Sequence, residues 1–162
     1  MERGDGVDLR EKIIAKEAVV GVIGLGYVGL PLAREFLNKD FRVLGFDTDA
    51  AKVHRINEGE SYIKHIPGEV IKRSISNGQL KATVDFSRLK EADIILICVP
   101  TPLGRHREPD LSYVLNTTES IATTLRQGQL ILLESTTYPG TTEEEILPIL
   151  AKTGLEVGRD FY

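Results

Sequence analysis

The chain is poor in features that would mark many common functions. Its 162 residues include one cysteine, Cys98, so no internal disulfide can form. That thiol lies in the apolar run "IILICVP", where a cysteine behaves as a small buried hydrophobe rather than as an activated nucleophile. Acidic residues outnumber basic ones, net charge −4, and no basic stripe invites nucleic acid or an anionic membrane. The amino-terminal stretch "MERGDGVDLREKIIAKEA" carries charges throughout and holds no apolar run long enough for a signal or a span. These absences together lead to the expectation of a cytoplasmic protein. There is no internal repeat, linker or low-complexity segment. Neither G-x-x-x-x-G-K-[ST] nor G-x-S-x-G occurs, which removes the main supports for phosphoryl transfer and hydrolysis. His54, His65 and His106 lack metal-ligand spacing. Glu143, Glu144 and Glu145 stand where a helix start favours carboxylates, so no metal site is expected.

What is present begins with "VVGVIGLGYVGLPLAREFLNKDFRVLGFDTD", residues 19–49. The β-branched run "AVVGVIG" reads as a strand buried on both faces. "YVGLPLAREFLNK" places Val28, Leu32, Phe36 and Leu37 at helical spacing, with Pro31 early enough to be tolerated. Gly24, Gly26 and Gly29 therefore lie between a strand and a helix. In a G-x-G-x-x-G turn the first glycine makes the bend, the second lets a pyrophosphate approach the main chain, and the third lets helix and strand pack closely. The helix start adds free N–H donors and a partial positive charge. A second strand, "FRVLGF", ends on Asp47, within the roughly twenty-residue interval expected for a carboxylate that accepts from a ribose diol. A negative charge there, with no arginine following in "DTDAAK", favours NAD over NADP. Lys52 is placed either to reach the adenosine side or to stand as a solvated lysine.

The remainder continues the alternation. Helices are expected at "DAAKVHRINEG", from Pro67 to the "NG" of Asn77 and Gly78, at "DLSYVLNTTESIATTLRQG" with Gly128 as a stop, and at "TTEEEILPILAKTG". "ESYIKHI" reads as a loop, and "LKATVDF", "ADIILICVP" and "QLILLEST" as strands. The amino-terminal "VDLREKIIAKEA" reads as a short amphipathic helix that docks on the domain or on another subunit. A length of about one domain can bury on the order of two-thirds of its unfolded surface. The order of elements implies an α/β fold of Rossmann type, a doubly wound parallel sheet with helices on both faces and ligands at the strand carboxyl ends.

Those ends carry two unusual loops. "VPTPLGRHREPDLS" sets Pro100 and Pro102 around Thr101, a rigid extended backbone beside a hydroxyl. "STTYPGTT" delivers Ser135, Thr136 and Thr137 ahead of a Pro-Gly turn, residues that also cap helices and make turns.

"GVIGLGYVGLPLA", "GFDTDAAKV", "ICVPTPL", "REPDLSYV" and "ESTTYPGTTEE" together resemble the amino-terminal half of the UDP-sugar 6-dehydrogenases over roughly residues 10–162. "EPDLSYV" and "ESTTYPGTT" are most similar to the branch acting on UDP-N-acetylglucosamine or UDP-N-acetylmannosamine. The resemblance implies oxidation of the sugar C6 alcohol to a carboxylate by two NAD in succession, through an aldehyde and a cysteine-linked intermediate, in a homo-oligomer. It implies that Gly24, Gly26, Tyr27, Val28 and Gly29 hold the pyrophosphate and that Asp47 and Lys52 hold the adenosine ribose. It further implies that Val99, Pro100 and Thr101 line the cofactor, and that Ser135 lies at the nicotinamide end. Thr136 matches the threonine that positions a catalytic water or proton. Residues 1–17 are then a helical extension and residues 18–162 the NAD-binding domain. The family's glutamate-bearing segment, lysine, asparagine and nucleophilic cysteine would fall in a substrate domain beyond Tyr162, and the isolated domain is expected to be inactive. The alternatives are a UDP-glucose 6-dehydrogenase, a hydroxyacid or hydroxyacyl-CoA type of NAD dehydrogenase, and an NAD-sensing module without catalysis.

Overall fold

The computed structural model describes residues 8–104 and 109–162. Five strands form one sheet: β1 (Val19–Ile23), β2 (Arg42–Phe46), β3 (Leu80–Thr83), β4 (Ile94–Ile97) and β5 (Leu130–Leu133). Their order is β3-β2-β1-β4-β5, and every pairing is parallel. The apolar runs are explained by burial on both faces. Val20, Val22, Val43, Ile94 and Leu96 point into one core cluster, while Ile23, Leu44, Phe46, Ile95 and Ile97 point into the other.

The first face carries α2 (Gly29–Asn38), α3 (Ala50–Asn57) and α4 (Gly68–Ser76), after a short amino-terminal helix α1 (Leu9–Ile14). α2 buries Leu30, Ala33 and Leu37, one stripe of an amphipathic helix. Val28 was expected in that stripe but stands exposed just ahead of the helix, because it belongs to the glycine turn. Asp49 caps α3 by accepting from the Ala51 and Lys52 N–H groups. α1 docks on the domain through Leu9 and Ile13. Its Lys12 Nζ lies 2.8 Å from Asp93, which also accepts from Val19 N–H and the Arg126 guanidinium. Burial opposes ionisation of Asp93, but these donors outweigh it and hold the carboxyl below its ordinary range.

The second face carries α5 (Ser112–Ala122) and α6 (Leu147–Ala151). Three expected boundaries move. The strand expected at 80–86 ends at Thr83, because Asp85 caps a 3-10 turn, Phe86–Glu91, by accepting from Ser87 N–H. α5 stops well short of Gly128, where the Thr123 and Thr124 hydroxyls bond back to the Ser120 and Ile121 carbonyls. The helix expected from Thr141 opens as a π-helical segment, Thr142–Ile146, and becomes α-helical only at Leu147. Pro148 has no N–H to return to the preceding turn, so that turn widens.

The strands end level, with Ile23 opposite both Phe46 and Ile97. The chain winds from β1 outward to β3 and then crosses back to β4 on the other side of β1. That reversal opens a crevice above the carboxyl ends of β1 and β4, the topological switch point where ligands of such sheets bind.

Candidate cofactor crevice

Each glycine of the first turn has its own reason. Gly24 adopts φ +90°, and a Cβ there would meet the Cys98 carbonyl at 2.6 Å, so it makes the bend close against the end of β4. A Cβ on Gly29 would fall 1.8 Å from the Gly24 carbonyl, so α2 starts jammed against the turn. A Cβ on Gly26 would meet nothing within 4 Å; the space above it is open. The N–H groups of Gly26, Tyr27 and Val28 have no hydrogen-bond partner among the described residues. They form a run of donors at the entrance to α2.

Asp47 is buried at the end of β2. Its Oδ2 accepts from Leu25 N–H at 2.9 Å and its Oδ1 from Asp49 N–H at 2.9 Å. A carboxylate has lone pairs beyond these two, so it can still accept from a ligand diol. Lys52 Nζ lies 3.8 Å from Oδ2 and borders the same space.

These groups edge a cavity of about 830 Å³. Gly24, Gly26, Tyr27 and Val28 form one wall of it and Asp47 and Lys52 another, with Val99 and Pro100 from the loop after β4. Gly29 supports the wall from behind rather than bordering it. Thr101, Ser135 and Thr136 also lie outside the border. The Ser135 hydroxyl donates to the Val99 carbonyl at 2.7 Å and so ties the loop after β5 to the cavity's edge. Thr136 is exposed, and the helical segment after β5 begins only at Thr142, so Thr136 does not cap it.

The structure adds residues that the sequence patterns did not single out. Tyr113, Asn116, Thr117 and Ser120 of α5 border the cavity, and Phe86 closes it beyond β3. The α5 residues recur at i, i+3, i+4 and i+7, a second stripe beside the apolar one, and that spacing was the available signal. Cys98 lies on the cavity floor, where burial and then the Glu134 carboxylate push its thiol up to about 11. A thiol so shifted is a poor nucleophile at neutral pH. His54 and His65 are exposed, and His106 lies outside the described residues. Among the described residues no three His, Cys, Asp or Glu side chains gather as a metal site requires, and no helix is long and apolar enough to cross a membrane.

A parallel doubly wound sheet with an open glycine turn and a buried acid at the next strand end defines a dinucleotide-binding domain. Residues 18–162 match the UDP-glucose/GDP-mannose dehydrogenase family, NAD binding domain. The chain belongs to that family, and its cofactor is NAD. It is 38% identical over 147 residues to UDP-N-acetyl-D-glucosamine 6-dehydrogenase of Salmonella typhi, covering 90% of this chain and 34% of that protein. The solved UDP-D-ManNAc dehydrogenase of Pyrococcus horikoshii superposes with a TM-score of 0.83 at 37% identity, over 89% of this chain and 34% of that one. GDP-mannose dehydrogenase of Pseudomonas aeruginosa gives 0.83 at 28% identity, over 88% and 34%. The chain thus spans about a third of the length of these relatives.

The crevice fits NAD on its own features. The open space over Gly26 is a cradle that any side chain would fill, and the donors of residues 26–28 suit a diphosphate. Asp47 suits the ribose diol.

Proposed function

We propose that this chain supplies the NAD-binding half of an enzyme that oxidises the C6 alcohol of a UDP-N-acetylhexosamine to a carboxylate. The carrying observation is the pairing of the NAD crevice with relatives named for UDP-N-acetylglucosamine and UDP-N-acetylmannosamine. NAD supplies the hydride acceptor, and this chain's residues do the placing. Asp47 and Lys52 hold the adenosine end, and the N–H groups of Gly26, Tyr27 and Val28 hold the diphosphate. Pro100 borders the cavity, and the loops that carry Thr101, Ser135 and Thr136 lie next along the strand ends; we assign them to the reacting end. Ser135 keeps the loop after β5 in register with Val99. Thr136, exposed and uncommitted to a cap, orients a water or a proton beside the sugar. A UDP-sugar is therefore the substrate, and the assembly is a homo-oligomer working in the cytoplasm, consistent with a single unpaired cysteine.

The test is to express this segment with the remainder of its reading frame and follow NADH with UDP-N-acetylglucosamine, UDP-N-acetylmannosamine and UDP-glucose in parallel. Two NADH per sugar consumed, with either N-acetylated substrate preferred, is the expected result. Oxidation of UDP-glucose alone would overturn the substrate assignment while leaving the NAD domain in place.

A further inference from the structure

The loop "ESYIKHI" between α3 and α4 has no part in the dinucleotide motif, yet one of its side chains reaches it. The Tyr62 hydroxyl donates to the Leu25 carbonyl, in the middle of the glycine turn. The N–H of the same residue is held by Asp47. Both peptide groups flanking Leu25 are therefore fixed by side chains.

The consequence follows from peptide geometry. No cis peptide occurs among the described residues, so the Leu25 carbonyl and the Gly26 N–H point in opposite directions. Tyr62 packs on the core cluster that holds Leu25 and Leu30, and it draws the carbonyl toward that side. The Gly26 N–H is thereby turned away from the core, on the side where Gly26 borders the cavity and a Cβ would meet nothing. Were the peptide to rotate, a carbonyl oxygen would replace a donor at the point where a diphosphate approaches, and attraction would become repulsion.

We propose that Tyr62 is a positioning residue for cofactor binding, fixing the Leu25–Gly26 peptide so that the turn presents donors rather than an acceptor to the diphosphate. The assignment rests on the NAD reading of the crevice. Tyr62 is itself held in place. The Arg55 guanidinium lies 5.5 Å from its ring centroid, and Arg55 pairs with Glu60 at 3.2 Å. The Ser61 hydroxyl donates to the Ile63 carbonyl and accepts from its N–H, and Ile63 and Ile66 anchor the loop in the core. Burial, and then the carboxylates of Asp47 and Asp49, push the phenol well above its ordinary range, so it remains a donor wherever the domain is folded.

The experiment titrates the chain and its Tyr62→Phe variant with NAD, ADP and adenosine, with thermal melts as a check on folding. Tyr62→Phe should weaken NAD and ADP about tenfold and leave adenosine, which has no phosphate, within about twofold. Arg55→Leu, at an exposed residue, loosens the ring without removing the hydroxyl and should show the same phosphate-selective loss at about threefold. Unchanged NAD affinity in both variants, or equal losses on ADP and adenosine, overturns the assignment. If the unaltered chain binds none of the ligands, the dinucleotide reading falls and the proposal with it.

Discussion

Asp47 accepts the Leu25 N–H at 2.9 Å across 22 residues of sequence, so the acid at the end of β2 and the glycine turn after β1 are one unit. The carboxylate proposed to select the ribose also braces the loop proposed to meet the diphosphate. NAD should bind at least about tenfold more tightly than NADP, because a 2′-phosphate would meet a buried negative charge, a difference of ~1.4 kcal/mol. Asp47→Asn should erase that preference and also lower stability by about 1–3 kcal/mol, since an amide nitrogen must then face one of two N–H donors. Calorimetric titration and melting separate the two effects, and equal affinities in the unaltered chain would refute the first.

Two glycines three residues apart should respond in opposite ways to the same change. Gly29→Ala would push a methyl into the Gly24 carbonyl and should destabilise the fold by about 3 kcal/mol, the upper end of ordinary overpacking. Gly26→Ala meets no protein atom, so it should melt normally and bind NAD more than about tenfold more weakly. Normal NAD affinity in folded Gly26→Ala would show that the open space is not where the cofactor lies.

In an enzyme containing the whole reading frame, Thr136→Val keeps shape and removes one hydroxyl. Because Thr136 caps no helix, stability should hold while kcat falls by roughly tenfold to a thousandfold, with NAD affinity steady. An early melt with normal turnover would strike Thr136 from the site.

Cys98 offers a pH test. Burial, and then the Glu134 carboxylate, push its folded thiol up to about 11 from 9.0 for the free group, so the folded state retains the proton more strongly. Stability from this group is complete below the unfolded value and is lost as pH rises from 9.0 toward about 11. Alkylation by iodoacetamide at neutral pH should be slow, should accelerate over that window, and should slow again with NAD present, since Cys98 borders the cavity. With that thiol a poor nucleophile, the 162-residue polypeptide alone should release no sustained NADH from UDP-N-acetylglucosamine.

The outer edge of β5 gives a further expectation. Tyr162 begins a parallel pairing there, donating to the Gln129 carbonyl and accepting from Ile131 N–H, but Leu130–Leu133 remain only partly buried. Such an apolar edge recruits another chain, and sedimentation of the 162-residue polypeptide should show association that grows with concentration. A strictly monomeric profile at high concentration would count against it.

The strands were legible because burial on both faces writes itself locally, as in "IILI" and "VVGVI". The positions of the glycine turn and of Asp47 at the ends of β1 and β2 were legible because a strand-turn-helix motif with a following acid has a fixed spacing. Helix ends were less so. The stop of α5 depends on threonine hydroxyls choosing backbone carbonyls, and the π-helical opening before α6 on a proline at its far side. Least visible were Tyr62 and the polar stripe of α5. Tyr62 acts across 37 residues, and Tyr113 and Asn116 matter only because the crossover sets α5 beside β1's turn. The helical spacing of the α5 residues marks a polar stripe but not what it faces, and no local pattern marks the Tyr62 contact.

The winding of the sheet also orders its own assembly. β1, the central strand, is made early and finds β2 soon after, but its other neighbour, β4, pairs Gly21 with Ile95. On the ribosome, β1 must keep one edge unpaired until most of the domain has emerged, and Lys12 waits 81 residues for Asp93. The crevice at the switch point thus cannot close before β4 and α5 have emerged, and NAD can meet a finished site only after that point of synthesis.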